Sequence, residues 1–166
     1  MSKTQAKLID SELVREMFNY VDGGLVWAVN KGRAKKGARP HKNSNGYNVF
    51  KIDGIPYLEH RLIWAWHNLP HTPLIDHING DITDNRIENL RAATHSQNMR
   101  NSRMPSNNTS GVKGVYWEKD KGKWRVQIWN NGKQEFVGRF LTIDEAKLAA
   151  STFRKTNHLE FANEGI

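Results

Sequence analysis

The sequence predicts an α+β chain of two small modules, and three stretches carry that prediction. Residues 74–101, LIDHINGDITDNRIENLRAATHSQNMRN, alternate short extended runs with turn residues and close on a helix-start signal. Residues 112–157 hold three alternating, aromatic-rich runs followed by an amphipathic helical pattern. Residues 101–111, NSRMPSNNTSG, are polar and rich in Ser and Asn, the composition of an exposed, extended connection. The expected organisation is a module over 1–103, a linker over 104–110 and a second module over 111–166.

In the N-terminal third, residues 11–20 can form an amphipathic helix with Leu13, Met17 and Tyr20 inward. GLVWAV, YNVFKI and IPYLEHRLIWAWH read as strands leading into a helix. Between them KGRAKKGARPHK, residues 31–42, carries six Lys or Arg with small residues interspersed and reads as a solvated loop. Its Lys35, Lys36 and Arg39 are expected to follow a phosphate backbone, which would give binding a steep salt dependence.

The stretch 74–101 gathers the chemistry. Asp76 and His77 are adjacent, so on a strand they point to opposite faces and can take separate tasks, one holding a metal and the other working on water. Thr94 and Gln97 have the T-x-x-Q spacing of a capping box, placing a helix start near His95 and Asn98 in its first turn. Hydrolysis of a phosphodiester needs a nucleophile made from water, charge stabilisation at phosphorus and help for the leaving 3′ oxygen. A neutral imidazole can supply the first, and a hard cation on carboxylate and amide oxygens the other two.

The string DHINGDxxDNRxxNLR followed by a capped helix with Asn resembles the HNH nucleases and their ββα-metal hairpin, most of all the phage homing-endonuclease branch. That resemblance implies His77 as general base, Asp76 and Asn98 as metal ligands, and Asn89 bracing the hairpin and orienting His77. It implies one divalent ion and no structural zinc; sparse ligation by carboxylate and amide oxygens makes Mg²⁺ the expected ion, with Mn²⁺ as a substitute, and no small-molecule cofactor is expected. The segment ahead of the hairpin is similar to the leader of many phage HNH proteins. His95, at the very start of the helix, is expected at most to support the site or contact phosphate. Asn85 and Arg86 read as architectural, a turn fixed by Asn with Arg86 paired to a nearby acid. Arg61 has two readings, an approach to the scissile phosphate or a structural ion pair.

In the second module VKGVYWEK, KWRVQIWN and QEFVGRF, with turn signals at DKG and NNG, predict a three-stranded antiparallel meander. Thr142 and Glu145 form another capping box, and Ala146, Ala149, Ala150 and Phe153 share a helical face that would cover the sheet. Arg125, Gln127 and Trp129 share one face of their strand; Trp124, Val126 and Ile128 share the other and suit a core. GVYW, KWRVQI, VGRF, EAKLAA and the closing EFAN resemble an AP2 domain, whose sheet lies in the DNA major groove. The match implies DNA contacts from Lys113, Tyr116, Glu118, Gln127, Trp129 and Arg139, and more loosely from Trp117, Trp124 and Arg125. Plant AP2 proteins have Arg where this chain has Tyr116, Glu118 and Trp129, so their base preference does not carry over.

Composition agrees with a polyanionic partner. The chain has 25 Lys and Arg against 17 Asp and Glu, a formal charge of +8. The excess is +5 over residues 1–104 and +3 over 105–166, so both halves can touch DNA. No cysteine is present, which excludes disulfides and thiolate zinc ligands. No apolar run reaches the ~18 residues of a membrane helix and MSKTQAKLIDSELVREMF lacks a signal-peptide core, so the expected location is the host cytosol. The expected activity is site-specific cleavage of double-stranded DNA, by a monomer in the simplest case, since one hairpin makes one active site. Two other readings remain open: a DNA-binding regulator with an inactive nuclease fold, and an RNA binder, for which exposed stacking aromatics are few.

Overall fold

In a computed structural model, which describes residues 10–101, 104 and 106–162, the chain divides into two units, Met1–Ala92 and Ala93–Ile166. The first half of the N-terminal segment read for a signal peptide, residues 1–9, and the last residue of EFAN lie outside the described residues. Among the described residues no helix is long and apolar enough to cross a membrane.

The first unit opens with helix α1, Ser11–Met17, capped by the Asp10 carboxylate, which accepts from the Glu12 amide at 2.8 Å. The helix stops short of the expected 11–20. Phe18 is extended, starts strand β1 (Phe18–Val21) and pairs with Trp27 of β2 (Gly24–Trp27). Burial of Phe18 against Trp27 and Phe50, with ring centroids 4.5 and 4.7 Å away, outweighs one more helical turn. Val14 and Met17 face inward, while Leu13 is 47% exposed, contrary to the inward position expected for it. The return from β1 to β2 is Asp22-Gly23 with both residues at positive φ, the two-residue turn whose twist matches paired strands.

Strand β3 (His41–Lys42) pairs with β4 (Asn48–Ile52), and β4 with β5 (Ile55–Leu58) through a second such turn, Asp53-Gly54. The basic stretch is therefore a loop for most of its length but ends in a paired strand. Helix α2, Glu59–Trp66, buries Leu62 and Ile63 in a core shared with Val14, Phe18, Leu25, Trp27 and Phe50. Strands β6 (Ile75–His77) and β7 (Leu90–Ala92) then pair in the register Ile75↔Ala92, Asp76↔Arg91, His77↔Leu90.

The second unit begins with helix α3, His95–Asn101, so the division of the chain falls ahead of this helix. The capping box closes it as the spacing predicts: Thr94 N donates to Gln97 Oε1 at 2.8 Å and Gln97 N to Thr94 Oγ1 at 3.2 Å. The Ser/Asn-rich stretch does not run extended where it is described. Asn108 Oδ1 accepts from Gly111 N at 2.8 Å and Ser110 Oγ donates to the Val112 and Val115 carbonyls, folding it into turns. Asn and Ser side chains take backbone partners readily, and composition alone cannot separate that from a linker.

Strands β8 (Val115–Glu118), β9 (Lys123–Asn130) and β10 (Lys133–Phe140) form the meander in the order β10-β9-β8, with Asn131-Gly132 as a third left-handed turn pair. Helix α4, Ile143–His158, begins at the Thr142/Glu145 capping box and lays Ala146 and Ala150 on Val115, Val126 and Ile128.

Candidate active site

The connection between β6 and β7 is held by its own amides. Asn89, at the end of a short 3₁₀ turn (Ile87–Asn89), accepts from Asn79 N through Oδ1 at 3.0 Å. Its Nδ2 donates to Asn79 Oδ1 at 3.0 Å and to the Asp84 carbonyl at 2.7 Å. Its own carbonyl accepts from Ile78 N at 2.8 Å. One side chain thus closes the loop at both ends, leaving β6 with a fixed exit. Arg86 pairs with Asp84 at 2.8 Å, the architectural partner expected of it, and this interaction holds the Asp84 carboxyl down at about 2.

Strand β6 is buried along its whole length, Asp76 and His77 each being 5% exposed. The Arg91 guanidinium, directly across the ladder, donates to Asp76 Oδ2 from Nε at 2.9 Å, with Nη2 2.8 Å from the same oxygen. His77 Nε2 lies 2.8 Å from Asn85 Oδ1. Asn85 is 3% exposed, and its Nδ2 donates to Glu59 Oε2 at 2.7 Å. Glu59, 2% exposed at the start of α2, also accepts from Asn48 Nδ2 at 2.7 Å and, through Oε1, from the Leu25 amide at 2.9 Å. His60 sets its ring edge-on to His77 with centroids 5.1 Å apart. Burial, then the neighbouring His77 and Arg61, push His60 down to about 3, so it is neutral at ordinary pH.

The expected site residues thus fall into two groups. Asp76, His77 and Asn89 come together in the first unit. The amide touching His77 belongs to Asn85, while Asn89 holds the loop. Asn98 stands one turn into α3 and His95 at its first residue, both in the second unit. Asp76 and Asn98 are oxygen donors, a carboxylate and an amide, the kind a hard divalent cation takes, and in chemistry they fit a Mg²⁺ ligand set. Among the described residues no group of three or more His, Cys, Asp or Glu is placed so that it could hold a metal ion.

Arg61 forms no ion pair among the described residues. It donates to the carbonyls of Thr72 at 3.1 Å and Pro73 at 3.4 Å, tying α2 to the run that enters β6, and its burial lowers its pKa. Arg39 lines a cleft of about 440 Å³ together with Glu59, Asn85 and Arg86. It also lines a basic groove of about 460 Å³ with Lys31, Arg33, His41 and Lys51, which Lys35 and Lys36 do not line.

On the second unit Tyr116, Glu118, Arg125, Gln127, Trp129 and Arg139 occupy the sheet face opposite α4, and Trp129 is 57% exposed. Tyr116 Oη donates to Gln127 Oε1 at 2.7 Å and Arg125 Nη2 to the same oxygen at 2.9 Å. Glu118 takes both arginines of this face, Arg125 Nη1 at 3.4 Å and Arg139 through Nε and Nη2. The Arg139 bonds hold its carboxyl below the usual range. Lys113 donates to the Arg100 carbonyl at 2.9 Å. Trp117 and Trp124 lie across from each other on the α4 side, 5.1 Å between centroids, and Trp124 packs on the core.

Sequence reasoning missed Glu59 and the link from Asn85 to His77. The available signal was a Glu-His pair heading the otherwise apolar HRLIWAW helix, where burial of a carboxylate requires partners.

The family model described as HNH endonuclease matches residues 57–100, a span that takes in Glu59, Asp76, His77, Asn85, Asn89 and Asn98. Among curated proteins, "Protein 3.8" of Escherichia phage T7 is 33% identical over 102 residues, 60% of this chain and 82% of that protein. No solved structure matches the chain.

Proposed function

Since the chain belongs to the HNH endonuclease family, with its HNH domain at residues 57–100, we propose that it is a phage homing-type endonuclease that hydrolyses double-stranded DNA with one divalent ion. The observation that carries this reading is the buried His77 beside Asp76 in a hairpin clamped by Asn89. His77 takes a proton from water as the water oxygen bonds to phosphorus; the P–O3′ bond breaks, and the leaving oxygen is protonated from solvent. In this proposal Asp76 and Asn98 would be the residues to hold Mg²⁺ or Mn²⁺, which when bound would supply charge neutralisation at the phosphate. Arg91 keeps the Asp76 carboxylate in place, and Asn89 keeps the strand that carries His77.

The second unit is an AP2-like reader in this proposal, delivering the hairpin through Tyr116, Gln127, Trp129 and the two arginines of its outer face. Arg39 and its basic groove follow the backbone. A monomer with one hairpin nicks one strand, and the reaction takes place in the host cytosol. The test is supercoiled plasmid carrying phage genomic DNA, with Mg²⁺ or EDTA, comparing wild type with His77→Ala. Metal-dependent open-circle or linear product that the variant loses supports the reading. The grip of Arg91 on Asp76 favours a second reading, a DNA-binding regulator with an idle hairpin. Binding without cleavage in any divalent metal would select it.

A further inference from the structure

Resting on the proposed role of His77 as the base, we infer that Glu59 is a positioning residue that fixes the tautomer of His77 through the Asn85 amide. A carboxylate only accepts hydrogen bonds, so the nitrogen of Asn85 must face Glu59 and its oxygen must face His77. A carbonyl oxygen also only accepts, so His77 Nε2 must carry the proton. The basic lone pair of the neutral ring is then on Nδ1. Glu59 cannot exchange this polarity for another, because its oxygens also serve the Leu25 amide and Asn48 Nδ2. All three residues of the relay are buried, which removes water as a competing partner.

Glu59→Gln reverses the relay with almost no change of shape. Glutamine has one acceptor oxygen, and the Leu25 N–H cannot turn, so that oxygen stays with Leu25 and the new NH₂ group faces Asn85. Asn85 and Asn48 both meet that NH₂ group, and both amides can flip, and do so to offer their oxygens. The NH₂ of Asn85 then meets His77 Nε2, which becomes the acceptor, and the ring proton moves to Nδ1, the nitrogen the reaction uses. Asn85→Asp in the same protein restores the original sense, since a carboxylate at position 85 accepts both from the new glutamine NH₂ and from Nε2–H. The double variant also keeps the charge of the relay unchanged.

The experiment combines imidazole ¹⁵N shifts of His77 at neutral pH with single-turnover cleavage in Mg²⁺ and DNA binding in EDTA. Wild type is expected to show a protonated Nε2 and a pyridine-like Nδ1. E59Q is expected to invert that pattern and to lose about 10²-fold or more in cleavage rate at unchanged DNA affinity. E59Q/N85D is expected to restore both the shift pattern and most of the rate, which a purely structural role for Glu59 would not do. A protonated Nδ1 in wild type overturns the inference without any variant having to fold. So does E59Q cutting at the wild-type rate, or a double variant as slow as E59Q. A wild type that cuts no DNA yet shows the Nε2–H form, inverted by E59Q, sinks the nuclease reading and leaves the relay standing.

Discussion

Arg91 faces Asp76 across the β6–β7 ladder and brings two of its nitrogens to one carboxylate oxygen, so strand register itself delivers the cation to the acid. Removing the guanidinium leaves a carboxylate in a buried strand. Arg91→Leu is expected to destabilise the first unit by about 3 kcal/mol, read from the urea midpoint. Arg91→Lys should recover only part of this, since an ammonium cannot place two nitrogens on the same oxygen. A variant as stable as wild type would mean that the pair contributes nothing to the hairpin.

Asn89 serves three partners with one amide, and Asn89→Ala leaves the Asn79 amide and the Asp84 carbonyl without it. The expected cost is roughly 2 kcal/mol. Hydrogen exchange offers the local check: the Asn79 amide should lose protection while amides of β4 keep theirs.

His60 makes the first unit sensitive to acid. Its folded pKa is about 3 against 6.5 unfolded, so between those values the unfolded chain binds the extra proton and stability falls as pH is lowered through that window. Burial is the main cause, with His77 and Arg61 adding to it. The slope is at most about 1.4 kcal/mol per pH unit for one proton. His60→Gln should flatten the pH dependence of the urea midpoint between about 3 and 6.5; parallel curves for the two proteins would refute the assignment.

Glu118 occupies both arginines of the outer sheet face. Glu118→Gln is therefore expected to tighten binding to any duplex and to steepen its salt dependence, as Arg125 and Arg139 become available to phosphates. Equal salt slopes for the two proteins would show that these arginines do not meet DNA.

In the opposite direction, replacing Lys35, Lys36 and Arg39 together by Ala should flatten the salt slope by up to about 3 if each neutralises one phosphate. Arg39→Ala alone should flatten it by about 0.9, the share of one phosphate, and if only Arg39, which alone of the three lines the basic groove, meets DNA, the triple variant should show no larger change.

Legibility from sequence followed the range of the forces involved. Both capping boxes and the C-terminal meander rest on contacts a few residues apart, and they stand where the spacing put them. Asp76, His77 and Asn89 are likewise neighbours in one hairpin. The end of α1 was not legible, because what pulls Phe18 into a strand is Phe50, far along the chain. The partner of Asn85 was hidden for the same reason, Glu59 lying 26 positions earlier. The Asp22-Gly23 and Asp53-Gly54 turns, by contrast, carry a local hairpin signal in the residues themselves.

The long reach of Glu59 also sets when the surroundings of His77 can form. Its donors come from β2, β4 and the loop before β7, so the imidazole is aligned only after every one of those segments has left the ribosome and docked. A nascent chain, or a proteolytic fragment ending before residue 85, holds at most the beginnings of the relay. The surroundings of His77 are therefore complete only when the whole first unit has folded, and a chain stopped short of residue 85 presents the imidazole without the amide that orients it.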